Sequence, residues 1–349
     1  MITLPKPWFA PGKSSARLLA AAAVLAVAAW CLAWPQVVAA DDVYAISFST
    51  GEMIRYDSTD PAGTRTTLIA AGQLDQPGAL TLGPDGNLYI GVGGDGGTVA
   101  PTIARYDLPG GTLSTVYTFS AFEVFPGSLA FLGNDLLVGR NPLFSNTGPI
   151  VKLTGVIGGP VVPSDYTSGT TLASSPGLAL AADGSLYVSD QTYDFGTSTA
   201  SGPVKRFDAS GVFIEEVIAD GADGLSGPTG LVIEGSTLYT ASIMTGTILE
   251  TSLGSGTTQG FGDSGAPFGT GVLASLSAGG LLAGSPAGDG VIYRFGSDGT
   301  LLETFASGLG QVGGVATVTV PEPTAAAVTG LGLAAAAAIA RQLRRRGSR

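Results

Sequence analysis

The chain contains no histidine, which removes the commonest general base and the commonest transition-metal ligand together. Ser-His-Asp and Cys-His machinery is excluded with it. The single cysteine, Cys31, lies in an apolar N-terminal run behind the bulky Trp30, where lipid attachment requires a small residue. What remains for binding chemistry is two pairs of polar residues, Arg140–Asn141 and Asp190–Gln191, each closing a short apolar stretch. Brought together, they would form a polar patch able to hold a sugar or a carboxylate. The plainer reading, and the preferred one, is an Arg140–Asp190 ion pair between neighbouring units of the repeat described below, with Asn141 and Gln191 as ordinary loop residues. A partly exposed pair of that kind contributes about 0–1 kcal/mol.

Two other stretches resemble ligand loops only on the surface. Gly91–Gly97 follows a strand-like segment but lacks the lysine of a phosphate loop and opens no helix, so it reads as a flexible surface loop. Asp220–Gly224 lacks the spacing and closing glutamate of a calcium-binding loop. The repeated Asp-Gly pairs are turn residues that tolerate a left-handed backbone.

These residues must be positioned by a repeat. Gly83-Pro84-Asp85-Gly86-Asn87-Leu88-Tyr89-Ile90 returns as Ala182-Asp183-Gly184-Ser185-Leu186-Tyr187-Val188, with degraded copies at 133–138, 234–239 and 278–282. In each, a Gly- or Asp-rich turn joins two apolar strands, as a hairpin requires. A Gly-led strand precedes each turn (GALTL, GSLAF, GLALA, GLVIE, GVLAS). A third strand with a basic-aromatic ending follows most units, as in IARYD and VKRFD, and a fourth comes after another turn. Tyr89, Leu137, Tyr187, Tyr239 and Leu282 are 48, 50, 52 and 43 residues apart, a spacing typical of propeller blades.

The body opens mid-unit. Val43–Ile46 matches a second strand and Met53–Asp57 a third, while Gly314–Val318, at the far end, matches a first strand. The expected fold is therefore an all-β, six-bladed propeller of four-stranded antiparallel blades, its first blade completed by the C-terminal strand. A seven-bladed ring with one degraded blade is the structural alternative. The repeat resembles the six-bladed family of NHL-repeat and gluconolactonase-like propellers. The resemblance implies metal ligands just before the glycine of the first strands, and here those positions are Pro77, Pro126, Pro176, Thr229, Thr270 and Gly313. None is a carboxylate, an amide or an imidazole, and a divalent ion needs several converging donors. The family's lactonase chemistry is therefore not carried over, and no catalytic residue, metal or cofactor is assigned.

Both ends carry export features. Lys6, Lys13 and Arg17 precede an apolar run from Leu18 to Trp34, and Val38-Ala39-Ala40 offers small residues before Asp41. This order reads as a signal peptide helix cleaved between Ala40 and Asp41; the alternative is an uncleaved N-terminal anchor, since the apolar run is longer than a typical signal core. At the other end, Pro321-Glu322-Pro323 leads into the apolar run 325–340, and the chain closes on Arg341, Arg344, Arg345, Arg346 and Arg349. A plain C-terminal anchor helix is the alternative, but the run, 16 residues long, is short of the roughly 20 that span a bilayer. The order resembles the PEP-CTERM sorting signal of Gram-negative bacteria. The resemblance implies recognition of Pro321-Glu322-Pro323 by exosortase, transient membrane insertion of a short transmembrane helix, and Arg344–Arg346 as a cytoplasmic stop. The expected organisation is signal peptide 1–40, propeller 41–320 and sorting tail 321–349.

The body carries eight Lys or Arg against 26 Asp or Glu, which repels nucleic acid and anionic lipid. The functional expectation is an exported, non-enzymatic binding or scaffold protein of the cell envelope, cell surface or extracellular matrix, in an exopolysaccharide or biofilm setting. Its expected partners are the secretory translocon and exosortase during export, then a glycan or an envelope protein. The alternative is a sugar-acting lyase or lactonase.

Overall fold

The computed structural model describes residues 40–94, 99–120, 124–140 and 147–320. The expected signal helix, the sorting tail, Asn141 and part of the 91–97 loop lie outside the described residues. The described residues form strands and one short 3-10 turn, Ala222–Gly224. Among them no helix is long and apolar enough to cross a membrane.

Six four-stranded antiparallel sheets follow one another. The first contains β1 (Asp41–Ser47), β2 (Met53–Asp57) and β3 (Thr66–Ile69). The second runs through β4 (Pro77–Leu82), β5 (Leu88–Val92), β6 (Thr102–Asp107) and β7 (Thr112–Thr118). The third has β8 (Pro126–Leu132), β9 (Asp135–Arg140), β10 (Val151–Thr154) and β11 (Val162–Asp165). In the fourth, β12 (Leu178–Leu180) and β13 (Leu186–Ser189) are separated from β16 (Val204–Phe207) and β17 (Phe213–Ile218) by a separate hairpin, β14 (Thr192–Asp194) and β15 (Thr199–Ser201). That hairpin belongs to no repeat unit and was not expected from sequence. The fifth sheet has β18 (Pro228–Glu234), β19 (Thr237–Ser242), β20 (Thr247–Ser252) and β21 (Thr258–Asp263). The sixth has β22 (Val272–Ser275), β23 (Leu281–Gly284), β24 (Ile292–Phe295) and β25 (Leu301–Ala306).

The last strand, β26 (Val312–Thr319), then returns to the first sheet, whose order is β26-β1-β2-β3. Its ladder with β1 runs from Asp41↔Thr319 through Val43↔Thr317 to Ile46↔Gly314, with a bulge before Ser47↔Val312. The innermost strands touch in the cyclic order β26, β4, β8, β12, β18, β22 and back to β26. The ring thus has six blades, and the seven-bladed alternative falls.

The core lies between blades rather than within one centre. Along β1, Val43 and Ala45 pack toward the sixth blade with Leu282 and Phe305, while Tyr44 and Ile46 pack toward the second with Leu88 and Ile90. Second strands are buried on both faces, which is why Leu88–Val92 reads as an unbroken apolar run. Tyr89, 1% exposed, sits edge-on to Phe131 of the next blade at 4.8 Å between ring centroids. Burying such a side chain contributes about 1.5–3 kcal/mol. Its hydroxyl donates to Asp85 Oδ2 at 3.1 Å. Burial, with the charge of Asp85 beside it, pushes that hydroxyl up to about 12. Burial also pushes the Asp85 carboxyl upward, but bonds from Asn87 and Tyr89 and the Arg105 charge outweigh it and hold the group below its ordinary value. Gly86 completes this turn at φ +76°, where a β-carbon is strained.

The glycines leading the innermost strands have a different cause. A β-carbon on Gly177 would land on the carbonyl oxygen of Thr229, one on Gly313 on that of Pro77, and one on Gly230 2.8 Å from Leu273 N. Each meets the backbone of the neighbouring blade, so glycine here sets the inter-blade spacing. Gly177→Ala is expected to destabilise the propeller by roughly 1–3 kcal/mol through overpacking, read from the denaturant midpoint. An unchanged midpoint would remove close blade approach as the reason for the glycine.

Candidate functional site

Around the axis the innermost strands enclose a channel of about 450 Å³. Its wall is contributed by residues such as Leu80, Leu129, Leu178, Leu231, Leu273 and Val315, interleaved with Gly, Ala, Ser and Thr. Among the described residues, no carboxylate, lysine or arginine lines it. At the end where the innermost strands begin, the channel opens into a mouth of about 280 Å³. Phe48, Phe268, Tyr193 and Ile243 form its apolar part, with Pro176 and Pro286, and Gln191, Gln311 and Thr229 supply polar atoms.

Of the positions that the resemblance equated with metal ligands, Pro176, Thr229 and Gly313 line this mouth. The two hydroxyls in the set are turned to backbone: Thr270 Oγ1 donates to the Thr247 carbonyl at 3.1 Å, and Thr229 Oγ1 to that of Ala241 at 3.5 Å.

The ends of the second strands do not form a polar rim. Ser47, Ser242, Ser285 and Asp190 are all buried, and most of them clip the segment leading into their own blade. Ser242 Oγ receives the Ser226 N–H at 2.8 Å, and Ser285 Oγ donates to the Phe268 carbonyl at 2.7 Å. Asp190 does the same work with a charge, since its Oδ1 accepts the Ala173 N–H at 2.7 Å.

The expected Arg140–Asp190 ion pair is not formed. Asp190 Oδ2 lies 2.6 Å from Lys205 Nζ, on the third strand of its own blade, and both side chains are more than nine-tenths buried. Lys205 also donates to Thr170 Oγ1 at 3.3 Å and to the Thr171 carbonyl at 3.2 Å, so its ammonium is held on several sides. Arg140 instead directs Nε at the Pro149 carbonyl at 3.0 Å and lines a separate cleft with Tyr117, Phe119 and Asp165. The physical reason is register: Ser189 pairs with Val204, which sets Lys205 beside the strand end at Asp190.

Gln191 is where the sequence reading and the mouth meet. Its Nε2 donates to the Pro228 carbonyl of the next blade at 3.1 Å, fixing the amide while the residue lines the mouth. Thus Asp190 and Gln191 stay adjacent but divide their work, one bracing the blade and one lining the mouth, while Arg140 stands apart. Sequence reasoning missed Lys205, Tyr193, Phe48, Phe268 and Gln311. Lys205 had a usable signal: the same position in the other five third strands is Ile54, Ala104, Val151, Leu249 and Tyr293, so a lysine there breaks the repeat at a buried site. The aromatic mouth residues come from unrelated loops and had none.

No family model matches the chain, and no curated protein does. Solved structures do share its architecture. A chain of a nidogen/laminin complex superposes with a TM-score of 0.63 at 13% identity, covering 79% of this chain and 98% of its own. A putative 6-phosphogluconolactonase from Bacteroides uniformis gives 0.51 at 19% identity, over 75% of this chain and 81% of the other. TolB from Acinetobacter baumannii gives 0.53 at 14% identity, over 80% and 66%. At these identities the likeness is one of fold alone.

Removing Lys205 leaves the Asp190 charge buried without its partner. Lys205→Met is therefore expected to cost about 3–5 kcal/mol in chemical unfolding, with much of the loss recovered when Asp190→Leu is added. A single variant as stable as the parent would show that the pair carries no structural weight.

Proposed function

We propose that this chain is an exported, non-enzymatic binding propeller of the Gram-negative cell envelope or extracellular matrix, and that the channel mouth is its ligand-binding face. The observation that carries the reading is the mouth's composition: Phe48, Phe268 and Tyr193 beside the amides of Gln191 and Gln311, with charged side chains absent from the described lining. Aromatic faces stack on the C–H surface of a sugar ring, and amides, being donor and acceptor at once, suit neighbouring hydroxyls. A volume of about 280 Å³ lies just under the roughly 300 Å³ at which pockets for drug-sized ligands begin. That is room for one ring-sized group, such as a unit of a neutral glycan presented by an exopolysaccharide.

Export rests on the two ends. The signal peptide 1–40 would pass the body 41–320 through the secretory translocon, and the tail 321–349 would be read by exosortase at Pro321-Glu322-Pro323, with Arg344, Arg345 and Arg346 held at the cytoplasmic side.

The enzymatic alternative, a lyase or lactonase acting on sugars, draws on the likeness to a structure described as a putative 6-phosphogluconolactonase. Such chemistry needs an acid–base pair or an ion in the channel, and the lining there is apolar residues with Gly, Ser and Thr. The protein partner class has support of the same fold-level kind, from the nidogen/laminin chain.

Glycan-array binding by the propeller tests the reading. Tyr193→Ala and Gln311→Ala, both outside the inter-blade core, are expected to lower affinity for the captured glycan about two- to tenfold each, since an aromatic contact or a hydrogen bond contributes about 0.5–1.5 kcal/mol. Turnover of a sugar lactone by purified protein, abolished by a chelator, would replace this proposal with the enzymatic one. Sorting has its own measurement: mass spectrometry of surface protein is expected to show a C-terminus lost near Pro321–Pro323, and an intact Arg349 there would end the exosortase reading.

A further inference from the structure

Asp41 has an unusual position for the residue beside a cleavage point. It is 1% exposed, and its two carboxylate oxygens are treated differently. Oδ2 accepts the Ser277 N–H from the sixth blade at 2.7 Å, stitching the ring seam. Oδ1 is buried with no hydrogen-bond partner, a state in which a carboxylate oxygen is strongly disfavoured. The residue's own backbone N–H points the other way and donates to Ser58 Oγ at 2.8 Å. One residue earlier, the Ala40 carbonyl accepts the Val320 N–H at 3.2 Å.

We propose that the α-ammonium created on Asp41 by cleavage after Ala40 is a structural ligand of this fold, supplying the buried Asp41 carboxylate with the donor that Oδ1 lacks. The proposal rests on the signal-peptide reading above. Hydrolysis adds water across the Ala40–Asp41 amide: the water oxygen stays on Ala40 as carboxylate and both water hydrogens end on the Asp41 nitrogen, giving an ammonium with no net proton uptake. The amide offered one N–H, already directed at Ser58. The ammonium offers three, so it keeps the Ser58 bond and has donors to spare for Oδ1 through the short ring that closes between an amino-terminal nitrogen and its own β-carboxylate. The lost Ala40–Val320 bond is the lesser change, because Val320 is exposed and water replaces it. Maturation would thus consolidate the seam at which the ring closes.

The charges around this corner set the sign of its pH response. Arg294 of the sixth blade reaches the Ser58 carbonyl at 3.1 Å, Asp57 precedes Ser58 on β2, and Asp42 is engaged with Arg55 at 2.6 Å. Across the seam the neighbours are Thr319 of β26 and Val320 just after it, which are uncharged. A paired ammonium titrates above its unfolded value of about 7.7–8.0. Its contribution is therefore fully present below about pH 8 and is lost as pH rises through the folded value.

The test compares two otherwise identical chains through Arg349, one beginning at Asp41 and one at Ala40, in the same detergent. The Asp41 form is expected to melt about 2–4 °C higher at pH 6, to lose that advantage at pH 10, and to show none in an Asp41→Asn background. Equal melting at pH 6, or an advantage that survives either pH 10 or Asp41→Asn, overturns the ion pair. N-terminal sequencing of the exported protein addresses the premise separately: a first residue other than Asp41 overturns the proposal through the cleavage reading, whatever the melting curves show.

Discussion

The antiparallel ladder between Asp41–Ser47 and Val312–Thr319 turns six separate sheets into a ring. Each blade alone would present two apolar faces to water, and each buries them only against its neighbours. The apolar clusters lie between consecutive blades, including one between the sixth and the first that contains Val43, Ile54, Leu282, Phe305 and Val315. Without the last strand that cluster loses Val312 and Val315, and the channel loses one of its six walls. The stability of every blade is thus tied to a contact between residues more than 250 positions apart, as the Asp41↔Thr319 pairing requires. Contacts of such long sequence separation form slowly because loop-closure entropy must be overcome first.

Blade spacing and blade bracing answer to different residues. Glycines such as Gly177 and Gly313 let backbones approach, while buried hydroxyls sew neighbouring blades together near the mouth: Ser128 Oγ to the Ser175 carbonyl at 2.6 Å and Ser189 Oγ to that of Thr229 at 2.5 Å. On the outer rim, third-strand arginines face fourth-strand glutamates, Arg206 with Glu215 and Arg294 with Glu303, each at 3.4 Å. Exposed pairs of this kind contribute little to stability, but charge on an outer strand discourages pairing with another sheet. Lys205 and Asp190 are the exception, an ion pair sealed inside one blade.

Much of this was legible in the sequence, because the repeat is written in backbone chemistry. Asp85-Gly86 and Asp183-Gly184 mark turns that require positive φ, and the Gly-led apolar strands mark the inner wall. The mid-unit start at Val43 and the first-strand motif at Gly314 together revealed the closure. Side-chain partners were harder to read. Asp190 and Arg140 end equivalent strands in adjacent blades, yet the propeller directs their side chains into different surroundings, and strand register decided for Lys205. The mouth was beyond reach for another reason: Phe48, Phe268 and Gln311 converge from loops, and Tyr193 from a hairpin strand, with no shared motif. The hairpin that carries Tyr193 lies outside the repeat altogether.

The seam also decides how the disc would respond to mechanical tension. Ala40 and Val320 sit at the same end of the β1–β26 ladder, whose hydrogen bonds run across the strands. A force applied between the two chain ends would unzip that ladder one rung at a time, starting at Asp41 and Thr319. A force applied through the tail alone, against drag on the disc, would load the rungs together in shear. A propeller without its leader and held from one side would meet only the second, stronger geometry.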